Sequence, residues 1–179
     1  AGLTLSASPD ILGAVFGALV SGLWVFATIY SFGYMGGDKK QTRYYSFFLI
    51  SLTTALGIAF AGNLVTLYLF YELLTFATYP LVTHEGGEAA TKAGTKYIIY
   101  SLSGAGAILA AMVITYNLTG TLEFGDTAIL ANVAPGPGLG WLLALFVAGF
   151  GVKAAIMPLH GWLPSAMAAP TPISALLHA

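Results

Sequence analysis

No Asp, Glu, Lys or Arg occurs from Tyr44 to Tyr71, from Leu73 to Thr83, or from Thr127 to Val152. Charge-free runs of that length constrain the fold more than any motif in the chain. A bilayer core about 30 Å thick takes ~20 apolar residues per helix, and these runs can supply them. Glu72 and Lys153 are the exceptions, single full charges set against the clean runs, and no Asp, Glu, Lys or Arg follows Lys153. An ionisable group at the centre of a membrane helix costs about 2.5 to 3.5 kcal/mol on insertion scales. Residues held there are candidates for moving protons or ions.

Composition fixes the class. The chain is 58% hydrophobic and 7% charged, against ~25% charged residues in soluble domains. It reads as an integral membrane protein in contact with the lipid bilayer. Its net charge of −1 and few basic residues exclude a nucleic-acid partner, because a phosphate backbone needs a basic surface. Without cysteine there is no disulfide, thiol or iron–sulfur chemistry. His84, His160 and His178 lack the paired spacing of haem ligands, so no cofactor and no metal is expected. The chain starts at Ala1 without methionine and stops inside an apolar run, which reads as a segment of a longer protein.

The runs predict an all-α, polytopic transmembrane helix bundle of about six spans forming a single membrane domain, residues 1–179. The expected spans are Ile11–Met35, Tyr44–Ala61, Leu64–Thr83, Ala89–Leu118 and Leu139–Met157. A sixth begins at Pro172 with Thr171 as its N-cap. Gly62 and Asn63 make a tight turn between the second and third. Lys39, Lys40, Arg43, Lys92 and Lys96 fall in alternate loops, and the intervening segments hold no Lys or Arg. That asymmetry places the basic loops in the cytoplasm and the loop carrying Glu123 and Asp126 on the other side. The expected setting is a multi-pass protein of the prokaryotic inner membrane. Lys153 belongs to neither loop set.

Lys153 is followed by Pro158, which has no N–H for the Ala154 carbonyl, so the helix should break just past the lysine. Broken helices line ion sites in many transporters. His160 and Pro164 add to the polar, irregular character of the stretch. The bland alternative is a lysine that snorkels to the surface. Glu72, about 13 Å into its span at 1.5 Å per residue, is either an ionisable partner for Lys153 or a permanently neutral packing acid. His178 is either a relay group or a packing residue. Lys96 belongs with Lys92, Glu85 and Glu88 to a solvated cap, or reaches inward. Ser103 fits a serine-protease pattern poorly, because Ser101 stands where glycine is needed.

Three segments together carry a resemblance: Asn63-Leu-Val-Thr-Leu-Tyr-Leu-Phe-Tyr-Glu72, Gly-Val-Lys153, and Pro158-Leu-His-Gly-Trp-Leu-Pro164 continuing to Thr171-Pro-Ile-Ser-Ala-Leu-Leu-His178. The chain closely resembles the antiporter-like membrane subunits of respiratory complex I, Mrp-type sodium/proton antiporters and membrane-bound hydrogenases. The resemblance implies a fold of about fourteen helices in two inverted repeats, of which this chain would hold the third to the start of the eighth. It implies proton translocation, with sodium coupling left open, through Glu72, Lys153 and His178, supported by Pro158, His160 and Lys96. Partners would be other membrane subunits of a hetero-oligomeric complex. No catalytic chemistry of its own is implied, beyond membership of an NADH:quinone oxidoreductase or hydrogenase-type translocase. Tyr71 stands where the family usually has tryptophan. An Arg and Asp pair carried by some members is missing around Tyr100 to Ala105, which points away from the longest complex I-type subunit. The competing reading is a structural subunit without an ion path.

Overall fold

The computed structural model describes residues 4–125 and 128–178, and among these every regular element is helical. In chain order they are α1 (Ile11–Tyr34), α2 (Gln41–Ala59), α3 (Leu64–Val82), α4 (Gly87–Thr119), α5 (Pro137–Lys153), a 3-10 turn (Leu159–Trp162), α6 (Leu163–Ala166) and α7 (Thr171–His178). The all-α bundle expected from the charge-free runs is what forms. Three of the helices, α1, α3 and α4, are long and apolar enough to cross a membrane. That is fewer than the six expected. Gln41, Thr42, Arg43 and the hydroxyls of Ser46, Ser51, Thr53 and Thr54 make α2 more polar, and α5 stops after 17 residues at Lys153.

Local chemistry explains most helix ends. The Asp10 carboxylate accepts the Gly13 N–H to cap α1, and the Asn63 side-chain oxygen accepts the Thr66 N–H at 2.7 Å to cap α3. Gly120 closes α4 in the left-handed conformation, φ 72°, where a side chain would be strained. Pro137 opens α5 at a position that has no need of its N–H. Thr171 is the first helical residue of α7 rather than its cap. The Pro170 carbonyl accepts the N–H groups of Ile173 and Ser174, so the helix starts one residue early.

Antiparallel neighbours pack in sequence order, α1 on α2, α2 on α3, α3 on α4 and α4 on α5, and α7 returns to α1. Gly104 and Gly149 let α4 and α5 meet at backbone distance, since a Cβ on Gly104 would sit 2.9 Å from the Gly149 carbonyl oxygen. At the end opposite the basic loops, the Asn63 amide donates to the Thr4 carbonyl, the Ser6 hydroxyl and the Glu123 carboxylate. Glu123 therefore lies at that end as expected; Asp126 lies outside the described residues. At the basic end, Lys40 Nζ donates to the His84 carbonyl and Arg43 to the Pro80 carbonyl, so the loop before α2 is tied to the end of α3.

Candidate functional site

Lys153 is the last residue of α5, and the reason the helix ends there lies in the backbone just beyond it. Ala155 adopts φ 52°, the left-handed cap that usually takes glycine. The Ala155 N–H turns back to the Val152 carbonyl at 3.1 Å and the Ile156 N–H to the Gly151 carbonyl at 3.0 Å. This is the paired 5→2 and 6→1 closure of a Schellman motif. Trp162 adds a third bond, its indole N–H donating to the Val152 carbonyl at 2.7 Å. α5 therefore breaks just past the lysine, as expected, but it is this cap and not Pro158 that ends it. The Ala154 carbonyl is already past the helix end, and the freed Gly151 and Val152 carbonyls are satisfied by the cap and by Trp162. Pro158 then keeps α5 from resuming, and the chain crosses to α7 through the 3-10 turn and α6.

The Lys153 ammonium reaches α3 and α4. It donates to the Thr75 hydroxyl and stands 4.6 Å from the centroid of the Tyr71 ring and 5.8 Å from that of Tyr97. Both rings are anchored. The Tyr71 hydroxyl donates to the Gly149 carbonyl at 3.2 Å, one turn before Lys153, and the Tyr97 hydroxyl shares a hydrogen bond of 2.7 Å with Thr78. Thr75 donates its own proton to the Tyr71 carbonyl, which leaves its lone pairs free for the ammonium.

Glu72 does not join this group. Its neighbour Tyr71 takes the face of α3 toward α5, and Glu72 is turned about 100° from it by the helical repeat. Among the described residues the ion pairs are His84 with Asp38 and Lys92 with Glu88; Glu72 and Lys153 are unpaired, and Glu72 Oε1 is buried without a partner. The Glu72–Lys153 pairing offered by the sequence is open in this structure.

A cavity of about 340 Å³ adjoins Lys153, lined by Trp24, Ser51, Thr78, Tyr97, Trp162 and the α7 residues Ile173, Leu176 and Leu177. Lys153 borders this cavity and His178 does not. Ile173, Leu176 and Leu177 lie three and four residues apart and turn one apolar stripe inward, which leaves His178 exposed and outside the lining. His160 is likewise exposed, in the 3-10 turn. Lys96 is exposed too and donates to the Ser165 hydroxyl at 3.1 Å, tying α4 to α6 rather than entering the Lys153 centre. The Ser103 hydroxyl donates to the Tyr100 carbonyl, an ordinary helix contact.

Sequence reasoning missed Thr75, Tyr97, Thr78 and Trp162. A signal existed for Thr75, four residues after Tyr71 and so on its face of α3; none existed for Tyr97, which meets Lys153 only through helix packing. A second buried group also escaped notice. His84, 1% exposed, places Nε2 3.1 Å from Asp38 Oδ2, with its ring edge against Tyr44. The Lys40 backbone N–H, and after it the His84 ring, hold the Asp38 carboxyl below the ordinary carboxylate range. No group of acidic residues and histidines that could hold a metal gathers among the described residues.

Residues 61–179 match the family described as NADH:quinone oxidoreductase/Mrp antiporter, TM. The chain belongs to that family. Among similar proteins, NAD(P)H-quinone oxidoreductase chain 5 of Picosynechococcus sp. is 36% identical over 186 residues, covering 99% of this chain and 28% of its own length. A probable K(+)/H(+) antiporter component of Rhizobium meliloti is 31% identical over 182 residues, covering 99% of this chain and 18% of that protein. The membrane-bound sulfane sulfur reductase, an archaeal respiratory membrane complex, contains a chain that superimposes with a TM-score of 0.86 at 27% identity, covering 98% of this chain and 36% of that one. This antiporter-family chain thus spans well under half the length of each. A quinone oxidoreductase chain and an antiporter component match it alike.

Proposed function

We propose that this antiporter-family chain carries one ion path of a proton-translocating membrane subunit, with Lys153 as the group that takes up and releases the proton. Residues 1–179 form one membrane unit in this reading, seated beside other membrane subunits of a larger complex in a prokaryotic inner membrane. The functions that name the relatives, quinone oxidoreduction and K(+)/H(+) antiport, make that complex either redox-driven or an antiporter. Sodium coupling is compatible with both.

One observation carries the reading: Lys153 stands at a helix break within the bundle, held by a hydroxyl and two ring faces, while among the described residues Glu72 is unpaired. A lysine that served packing alone would leave an uncompensated buried charge unless a carboxylate met it. Here the ammonium is held by neutral partners, and Glu72 stands by with a free oxygen. Moving Glu72 toward Lys153 would favour the charged amine, and moving it away would release the proton. His178 would act beyond this centre, since it does not face Lys153.

The test is ion flux in proteoliposomes holding the assembled complex. Lys153→Arg should abolish flux with assembly intact, because guanidinium does not release its proton in a protein. Flux at the wild-type rate in Lys153→Arg would remove the lysine from the mechanism and leave the structural reading.

A further inference from the structure

We propose that Tyr71 and Tyr97 form an aromatic clamp that positions the Lys153 ammonium and sets how readily it yields its proton. The proposal rests on the reading of Lys153 as a proton carrier, but it can be tested apart from it. An ammonium has three donors and no acceptor. One N–H goes to Thr75, and two ring faces stand within about 6 Å of the nitrogen, the range over which a ring quadrupole attracts a cation.

The clamp is built rather than incidental. Each ring is tied at its hydroxyl, Tyr71 to Gly149 and Tyr97 to Thr78, so neither is free to swing from the ammonium. Each is also packed against a further aromatic ring. Phe150 meets Tyr71 edge-on at 5.9 Å, and Trp162 lies 5.1 Å from Tyr97. Trp162 belongs to the turn that follows the helix break and bonds the Val152 carbonyl. The break in α5 and the position of the Tyr97 ring are therefore coupled through one indole.

The titratable groups facing Lys153 from the elements around it are Tyr71 on α3, with Glu72 beside it, and Tyr97 on α4. The cavity faces of α1, α2 and α7 offer only uncharged side chains such as Trp24, Ser51 and Ile173. Ring faces favour the ammonium over the neutral amine, yet bind it less firmly than a buried carboxylate would. A clamp of this kind holds a proton without trapping it. Weakening the rings should make the amine lose its proton at lower pH. At the strength of a desolvated cation–π contact the displacement should be about one pH unit.

Tyr71→Leu and Tyr97→Leu remove the faces but could disturb packing. The decisive series therefore keeps ring shape and replaces Tyr71 by phenylalanine carrying none, one, two or three ring fluorines. Fluorine withdraws electron density from the ring face, and every member equally lacks the hydroxyl bond to Gly149. In the purified complex, the pH dependence of Lys153 acetylation by a small reagent, read by mass spectrometry, reports the free amine directly. The midpoint should step to lower pH with each fluorine, by about one pH unit across the series, and the pH profile of flux should move with it. A midpoint that stays fixed across the series overturns the clamp. A stepped midpoint with flux that survives Lys153→Arg upholds the clamp and overturns the transport reading.

Discussion

Lys153 and His84 are both ionisable side chains drawn into the bundle, and they are held in opposite ways. His84 is almost fully buried and meets a carboxylate, Asp38, whose side chain keeps 30% of its surface in solvent. Lys40 and Tyr44 close around the pair through a backbone carbonyl and a ring edge. Lys153 is less buried and meets no carboxylate, only a hydroxyl and two rings. The basic-end pair joins two loops and has little room to change. The Lys153 centre has an unpaired acid nearby and a cavity beside it. Burial of a charge alone therefore says little about function; the kind of partner separates a structural pair from one that can switch.

The largest effect expected is on Lys153 itself. Lys153→Ala should lower ion flux at least ~100-fold, the scale of losing a positioned proton donor and acceptor, while the complex still assembles. Flux in proteoliposomes and the composition of the purified complex check this together. Glu72→Gln comes next. It should slow flux about tenfold while shifting thermal unfolding only slightly, because Glu72 has no partner to lose. A large loss of stability with normal flux would make Glu72 another fixed packing group and erase the contrast with His84.

Asp38→Asn should do the reverse, leaving flux near normal while lowering the unfolding temperature by a few degrees. The sign of its pH dependence follows from Asp38 being held below the 3.8 of a free carboxyl. Its contribution is fully present above about pH 3.8 and is lost as pH falls through the lower folded value. Wild type should lose a stability component in that acid range that Asp38→Asn lacks, as unfolding temperature against pH would show. If Asp38→Asn stops flux instead, the pair belongs to the ion path and the comparison fails. The smallest effect is expected at Lys92. Its pair with Glu88 is one helical turn apart, with both side chains more than three-quarters exposed. Lys92→Ala should change stability by no more than ~0.5 kcal/mol and leave flux alone.

Much of the fold was legible because lipid imposes a simple rule. Charge-free runs must become helices whose backbone groups satisfy one another, so the positions of α1 to α4 follow from Ile11, Leu64 and the basic loops to within a few residues. Gly62-Asn63 read correctly as a turn because an asparagine side chain caps the helix it opens. Pro158 placed a break just past Lys153, where α5 does end, but not the contacts that make it. A proline announces that a helix cannot continue, whereas the left-handed Ala155 and the indole bond that end α5 at Lys153 depend on Trp162 folding back.

What the sequence determined by itself is therefore the class of the protein, where its long helices lie, and the two charges, Glu72 and Lys153, that the apolar runs could not hide. Those are local properties, set by the energy of moving a residue out of water. Only the tertiary structure decided what each charge meets. Thr75, Tyr71 and Tyr97 come to Lys153 from two other helices, His178 is turned away by the apolar stripe of α7, and Glu72 is left unpaired by the rotation of α3. Direction around a helix axis depends on which stripe packs, and packing is a property of pairs of helices rather than of any one of them.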